Sequence, residues 1–159
     1  MKRRLEPELL DELPPGDPRA TRSRRDLRRL NFLMGHAAIV ARNLAGSDPK
    51  TPLRLAELGA GDGTFLLAVA KKLARRRHKV DAALVDRQDI LSGQTRAGLH
   101  RLGWTVESAQ ADVFDWLARS SNGKFDCVVA NLFLHHFADA RLRELLSLVA
   151  ERTEHLVVC

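Results

Sequence analysis

The sequence predicts an α/β fold in which a doubly wound, mainly parallel sheet is covered by helices on both faces. Short apolar runs typical of buried strands alternate with stretches of helical apolar spacing, an order that produces parallel strands joined by crossovers. A glycine-rich segment lies between the first such strand and the helix after it. The 159 residues suffice for one compact domain and are too few for two of ordinary size.

The chain before the first strand is predicted to hold a flexible arm and one helix. Residues 1–22 are rich in proline and mixed charge, a composition that buries too little apolar surface to offset its ordering entropy. From Ser23 to Gly46 the apolar residues recur at helical spacing, so we expect an amino-terminal helix within 23–46. Its apolar positions are Leu27, Leu30, Met34, Ala37, Ala38, Ala41 and Leu44.

Residues 53–159 are predicted to form the α/β core, which makes a single domain of 23–159 together with the amino-terminal helix. Compact apolar runs indicate strands, and spacings of three and four residues indicate helices. The predicted strands are Leu53–Leu58, Val80–Val85, Thr105–Ala109, Phe125–Ala130 and His155–Cys159, and the predicted helices are Thr64–Ala74, Leu91–Leu102 and Asp139–Ala150. The expected buried face of the last helix consists of Leu142, Leu145, Leu146 and Val149.

Composition argues against several classes of protein. No apolar run approaches the roughly 18 residues of a membrane-spanning helix, and the basic opening is not followed by the apolar stretch of a signal peptide. Two cysteines are too few for a disulfide framework or a cysteine-based metal site. We therefore expect a cytoplasmic protein with reduced thiols, no membrane contact and no metal. The net charge of +6 permits a nucleic-acid partner without requiring one.

The most informative segment is ELGAGDG, Glu57 to Gly63, at the junction of the first strand and the following helix. Its three glycines permit a tight turn and let a ligand approach the backbone, because no Cβ intervenes. Open α/β sheets bind ligands at this position, the carboxyl end of a parallel strand. In a dinucleotide-binding fingerprint the third glycine would stand where Thr64 stands, which argues against a nicotinamide-dependent oxidoreductase.

Polar side chains also follow the next three strands of the predicted sheet. Asp86 ends the second strand, Asp112 follows the third and Asn131 follows the fourth. Taken singly, each acid is better explained as a helix cap or a solvated loop carboxylate. Because the carboxyl ends of parallel strands converge on one crevice, we expect the set to line one ligand site. Asp86 is placed to accept ribose hydroxyls, and Asp112 is placed to accept the amine of an adenine ring.

Together these segments resemble the class I S-adenosylmethionine-dependent methyltransferases. ELGAGDG is similar to the family's first motif, Asp86 to its second-strand acid, Asp112 to its adenine-side acid and ANLFLHHF, residues 130–137, to its fourth-strand segment. The resemblance implies a Rossmann-like sheet of strand order 3-2-1-4-5, S-adenosyl-L-methionine as cofactor, and Glu57 near the amino group of that cofactor. The cofactor-binding residues that it implies are Glu57, Gly59, Ala60, Gly61, Gly63, Asp86, Arg87, Asp112, Val113 and Asn131.

Two departures from the family pattern bear on the reaction. The Asn/Asp-Pro-Pro-Tyr tetrad of enzymes that methylate amide or nucleobase amino nitrogens is replaced by Asn-Leu-Phe-Leu from Asn131. The family's sheet usually has seven strands, whereas this sequence reaches Cys159 in its fifth, without the last hairpin. An uncovered final strand is a template for pairing with another chain. We therefore expect self-association through that strand, with cofactor binding retained and methyl transfer weak or absent.

His135 and His136 are the catalytic candidates, because they follow the fourth strand directly. A histidine positioned to remove a proton from a hydroxyl or an acidic carbon contributes typically ~10² to 10⁴ in rate. Helix-entry packing and hydrogen bonding explain His136 as well as catalysis does, and explain His135 better. His36 is expected to be structural or solvent-facing.

The leading hypothesis is a methyltransferase that acts on oxygen or carbon of a small molecule. An RNA or protein substrate is the alternative suggested by the net charge and by basic residues at the start of the amino-terminal helix, which a solvated helix face also explains. A non-catalytic cofactor-binding or interaction module is suggested by the early end of the sheet. The basic residues are Arg22, Arg24, Arg25, Arg28 and Arg29.

Overall fold

The computed structural model of the chain describes both halves of the predicted α/β core. The described residues are 17–19, 22–23, 25–26, 34–46, 51–76, 79–119 and 123–158. Most of the predicted flexible arm, residues 1–22, and most of the arginine-rich start of the amino-terminal helix lie outside these ranges. Within the arm, residues 17–19 and 22 are described, and the backbone is helical at 18–19 and 22.

Five strands and five α-helices alternate along the described residues from 34 to 158, and the apolar spacing predicted all five strands and four of these helices. Each predicted strand is present, with bounds that differ by no more than two residues at either end. The strands are β1 (Leu53–Leu58), β2 (Val80–Asp86), β3 (Trp104–Gln110), β4 (Phe125–Val129) and β5 (Thr153–Val158). The helices are α1 (His36–Leu44), α2 (Thr64–Leu73), α3 (Gly93–Arg101), α4 (Val113–Ala118) and α5 (Asp139–Arg152), with 3₁₀ turns at Ala74–Arg76 and Leu134–His136.

The strands form one sheet of order β3-β2-β1-β4-β5, and every neighbouring pair is parallel. The α/β class, the parallel sheet and the strand order predicted from the sequence are therefore confirmed. β1 lies at the centre, where Glu57 is in register with Leu84 on β2 and Val129 on β4. Because all strands run the same way, the segments that follow β1 to β4 meet at one edge of the sheet.

Side chains of β1 alternate between two hydrophobic layers, one on each face of the sheet. Leu55 packs with α1, α2 and α3, whereas Ala56 and Leu58 pack with α4 and α5. Burial on both faces explains why β1 reads as an almost continuous apolar run instead of an alternating one. Among the described residues, no helix is long and apolar enough to cross a bilayer.

The amino-terminal helix differs from its prediction in where it begins. The backbone is helical at residues 22–23 and 25–26, but Met34 and Gly35 form a turn and α1 begins at His36. Gly35 has a φ of 67°, a left-handed conformation that glycine adopts at little cost and that interrupts a helix. Met34, predicted on the apolar face, is consequently 54% exposed.

Two features of the carboxyl-terminal half were also not predicted correctly. Helix α4 has only six residues, too few for its apolar spacing to stand out in the sequence. In α5, Leu145 and Val149 are buried, whereas Leu146, predicted on the same face, is 40% exposed. The helix therefore presents a narrow apolar stripe to the sheet, and adjacent leucines fall on opposite sides of its boundary.

Adjacent leucines of α5 provide a matched test of this packing. Leu145→Ala should lower the free energy of unfolding by about 2 to 5 kcal/mol, because Leu145 is fully buried and its truncation leaves a cavity. Leu146→Ala, the control, should change it by less than about 1 kcal/mol. Urea denaturation followed by circular dichroism measures both. Equal losses in the two variants would contradict the orientation of α5.

Candidate functional site

Four chain segments meet at the carboxyl edge of the sheet. The backbone N–H of Gly59, just after β1, donates to the carbonyl of Val85 on β2 at 2.9 Å, and the N–H of Ala111, after β3, donates to the carbonyl of Asp86 at 2.9 Å. The turn after β4 joins them because the ring of Phe133 packs against Gly59. The structure thus brings together the four strand ends that the sequence assigned to one site.

The glycine loop after β1 adopts a backbone that other residues rarely adopt. Gly59, Gly61 and Gly63 have φ angles of 69°, 54° and 71°. A Cβ on Gly59 would overlap the ring of Phe133, and a Cβ on Gly63 would lie 2.7 Å from a methyl carbon of Leu91. A Cβ on Gly61 would meet nothing within 4 Å. Gly59 and Gly63 therefore allow close packing of the protein on itself, and only Gly61 has open space in that direction.

Asp86 holds the glycine loop in place. Its Oδ2 accepts the backbone N–H of Gly61 at 2.8 Å, and its Oδ1 accepts the N–H of Gln88 at 3.0 Å. Asp86 is half-buried, and each carboxylate oxygen has lone-pair capacity beyond these bonds. The residue can therefore support the loop and still accept a hydroxyl from a ligand.

Glu57 is the least exposed ionisable group of this edge. It is 2% exposed, and its Oε2 has no hydrogen-bond partner among the described residues. Burial raises the pKa of Glu57 well above its ordinary value, and the carboxylates of Asp62 and Asp86 raise it further. A buried carboxyl oxygen without a partner is costly, and the strand that carries Glu57 leads directly into the glycine loop.

Asp112 caps helix α4 and pairs with Arg87. Its Oδ1 accepts the backbone N–H of Phe114 at 2.9 Å, and its Oδ2 is 2.8 Å from Nη2 of Arg87. Burial alone would raise the pKa of Asp112, but the hydrogen bonds from Arg87 and from Phe114 outweigh burial and lower it. Arg87 is largely exposed, whereas Val113, the first residue of α4, is buried. Both lie at the carboxyl edge of the sheet.

Asn131 lies at the end of β4 and is joined to the amino-terminal helix. Its Oδ1 is 2.8 Å from Nδ1 of His36, the first residue of α1. The sequence predicted a structural or solvent-facing His36, whereas the structure joins it to the end of β4. The break at Gly35 was the available signal, since it lets the start of α1 face the crevice.

The segment after Asn131 is strained and aromatic. Leu132 has a φ of 50°, a left-handed conformation that costs a side-chain-bearing residue roughly 1 to 2 kcal/mol. It turns the chain so that Phe133 reaches Gly59 and contacts Phe137, with ring centroids 5.1 Å apart. Strain of this kind persists where surrounding packing enforces it, and it is often found at functional sites.

The two candidate histidines lie in the 3₁₀ turn beside this aromatic contact. Their ring centroids are 4.2 Å apart, and His136 is 5.8 Å from the ring of Phe133. His136 is half-buried and His135 is exposed. His136 thus contacts Phe133, the ring that packs against Gly59.

A separate group of potential metal ligands lies at the opposite edge of the sheet. Ligand atoms of Asp126, Glu154 and His155 all lie within 4.8 Å of one another. Asp126 already accepts the backbone N–H of Arg54 at 2.7 Å, and His155 Nε2 is 3.8 Å from the Asp126 carboxylate. The group sits at the amino ends of β4 and β5, so it takes no part in the candidate site.

Comparison with known proteins gives a family match and several structural neighbours. A family model described as a methyltransferase domain matches residues 55–154. Among curated proteins, none matches the sequence. An O-methyltransferase family protein from Burkholderia thailandensis has a similar structure, with a TM-score of 0.59 and 22% identity over 87% of this chain and 40% of the other.

Two further structures show the same fold. N,N-8-amino-8-demethyl-D-riboflavin dimethyltransferase from Streptomyces davawensis matches with a TM-score of 0.53 and 23% identity, over 86% of this chain and 38% of its own. The plantazolicin methyltransferase BpumL, solved with a monoazolic desmethylPZN analog and SAH, matches with a TM-score of 0.55 and 19% identity, over 87% and 50%. The chain thus spans half or less of the length of these three proteins.

Replacing Glu57 should reveal its protonation through the pH dependence of stability. Because the pKa of Glu57 is higher in the folded protein than in the unfolded chain, the stability linked to its proton is complete below about pH 4.5, the unfolded value, and is lost as pH rises through the folded pKa. Glu57→Gln cannot lose that proton. The free energy of unfolding of the variant, measured relative to that of the parent, should therefore rise by up to about 1.4 kcal/mol per pH unit.

Urea denaturation from pH 4 to pH 8 measures this difference. Glu107→Gln, on an exposed position of β3, is the matched control and should follow the parent at every pH. A constant difference between Glu57→Gln and the parent over this range would show that Glu57 ionises as it does in the unfolded chain.

Proposed function

Since the chain belongs to the methyltransferase domain family, we propose that it is an S-adenosylmethionine-dependent methyltransferase acting on oxygen or carbon of a small molecule. The observation that carries the proposal is Glu57, a buried carboxyl group with an unpartnered oxygen, in the strand that leads to the open glycine loop. That combination suits a ligand that brings a cation and lies against the backbone at Gly61. S-adenosylmethionine carries both an ammonium and a sulfonium group.

The residues at the strand edge fit the parts of this cofactor. Glu57 would face its amino group, Asp86 would accept ribose hydroxyls, and Asp112 would accept the adenine amine. The side of Gly61 that lacks a Cβ provides space for the ligand. Asn131 adds an amide at the same edge, held by His36. The assigned neighbours Ala60, Arg87 and Val113 complete the set.

The proposed reaction depends mainly on orientation. When bound, S-adenosylmethionine supplies a methyl group on a sulfonium centre, which a nucleophile displaces in line. Holding the reacting groups in line can contribute roughly 7 to 11 kcal/mol. An alcohol or acidic carbon must also lose a proton, and His136, half-buried beside Phe133, is the proposed base. His135 is exposed and is the second candidate.

A small-molecule acceptor is favoured over RNA or protein. The Asn-Leu-Phe-Leu segment from Asn131 departs from the tetrad of enzymes that methylate nucleobase amino groups. The structural neighbours include an N,N-8-amino-8-demethyl-D-riboflavin dimethyltransferase and the plantazolicin methyltransferase BpumL. Of the arginines that suggested nucleic acid, only Arg22 and Arg25 lie among the described residues. The cytoplasmic location stays a prediction.

We also propose that β5 pairs with a second copy of this chain. β5 is an edge of the described sheet, with β4 as its neighbour on one side. An open edge presents unpaired backbone N–H and C=O groups to any strand that reaches it. Light scattering should then give a dimer at high protein concentration, and a monomer at every concentration would refute the pairing.

Cofactor binding is the first test of the proposed function. S-adenosylhomocysteine should bind the purified chain in calorimetry, and NAD should not. Asp86→Ala should weaken binding by about 1.5 to 3 kcal/mol, because charge-assisted hydrogen bonds to the ribose are lost and because the Gly61 amide loses its acceptor. Asp81→Ala, at an exposed position near the other end of β2, is the control and should bind as the parent does.

The catalytic role of His136 is tested by turnover on a hydroxyl-bearing acceptor. His136→Ala should lower turnover by about 10² or more and leave S-adenosylhomocysteine affinity nearly unchanged, because a base acts on the acceptor and not on the cofactor. His135→Ala should have the smaller effect, and His100→Ala, exposed on α3, should have none. Parental turnover in His136→Ala would return this residue to a structural role.

A further inference from the structure

Three acidic side chains converge where β1 gives way to the glycine loop. Glu57 lies in β1, Asp62 in the loop and Asp86 at the end of β2, and both aspartates act electrostatically on Glu57. Neighbouring carboxylates oppose each other's ionisation. Burial and the number of hydrogen-bond donors at each carboxyl group decide which of the three carries a proton.

The aspartates are compensated by hydrogen-bond donors, whereas Glu57 is not. Asp86 accepts two backbone N–H groups, and Asp62 Oδ1 accepts the N–H and the hydroxyl of Thr64 at 3.1 and 2.6 Å. Glu57 is buried, and its Oε2 lacks any donor among the described residues. The cost of an uncompensated charge therefore falls on Glu57.

The strands on either side of Glu57 place no opposite charge beside it. Its register partners, Leu84 on β2 and Val129 on β4, are apolar. The charged groups that act on it within the described residues are Asp62 and Asp86, and both are acidic. A cation that enters this position would be the first favourable charge that Glu57 meets.

We propose that Glu57 is protonated in the ligand-free protein and becomes a carboxylate when the ammonium group of the cofactor enters beside it, so that binding releases one proton to solvent. The inference rests on the proposed function, since it takes S-adenosylmethionine or its demethylated product as the ligand. The O–H bond of the Glu57 carboxyl is the only bond that breaks, and the charge of the ligand is unchanged. Glu57 thereby selects for a ligand that carries a cation.

Affinity should consequently depend on pH in a defined direction. As long as Glu57 is protonated in the free protein and ionised in the complex, each rise of one pH unit should strengthen binding about tenfold. The dependence should disappear above the pKa of Glu57 in the free protein. The burial of Glu57 raises that pKa well above its ordinary value, so the dependence should extend upward from the ordinary range of a carboxyl group.

Calorimetry in buffers of different ionisation enthalpy counts the protons that binding releases. Titration of the full chain with S-adenosylhomocysteine at pH 6 in phosphate and in imidazole should give close to one proton released. Titration with 5′-methylthioadenosine, which keeps the adenine and ribose but has no ammonium group, should give none. Glu57→Gln should release none with either ligand, and Glu107→Gln, the exposed control on β3, should behave as the parent does.

A carboxyl-carbon NMR titration of the free protein supplies a second measurement that does not depend on binding. The Glu57 signal should be that of a protonated carboxyl at pH 6 and should shift when S-adenosylhomocysteine is added. Binding without proton release, or a Glu57 signal already ionised at pH 6, would overturn the inference and leave the proposed function standing. A chain that binds neither ligand would overturn the proposed function and this inference with it.

Discussion

The contact between the Phe133 ring and the bare Cα of Gly59 determines how the two central strands end. Only a residue without a Cβ lets the ring lie there, and the ring reaches it because Leu132 accepts a left-handed backbone. This packing sets the path of the loop after β1 and the position of the turn that carries His136. The edge of the sheet is therefore a single packed unit, in which a substitution at one strand end alters the packing at the next.

The acids at this edge appear as one set in the sequence, but the structure separates what they do. Asp112 caps the amino terminus of α4, and Asp86 accepts the backbone N–H of Gly61. The unpartnered oxygen of Glu57 stabilises neither a loop nor a helix end. Two of the acids thus have structural work that explains them without a ligand, and Glu57 is the one whose placement is costly unless something binds.

The fold could be predicted from the sequence because parallel strands buried on both faces leave apolar runs that few other structures produce. Which face of each helix packs against the sheet was harder to predict, since Leu145 and Leu146 differ in burial although both suit an apolar helix face. Helix α4 is too short to show a period, and its start at Asp112 was visible only as a cap. The pairing of His36 with Asn131 joins residues 95 positions apart, and no local pattern encodes such a distance.

Helix α1 lies outside residues 55–154, the part that matches the family model, yet it belongs to the same folding unit. Val40 and Leu44 are buried in the layer that covers one face of the sheet, and His36 reaches the end of β4. A fragment cut at residue 55 would expose that layer to water and leave Asn131 without its neighbour. The segment that matches the family model is thus smaller than the segment that folds. Replacing α1 with the corresponding helix of a relative would change the shape of the crevice mouth and leave the glycine loop unchanged.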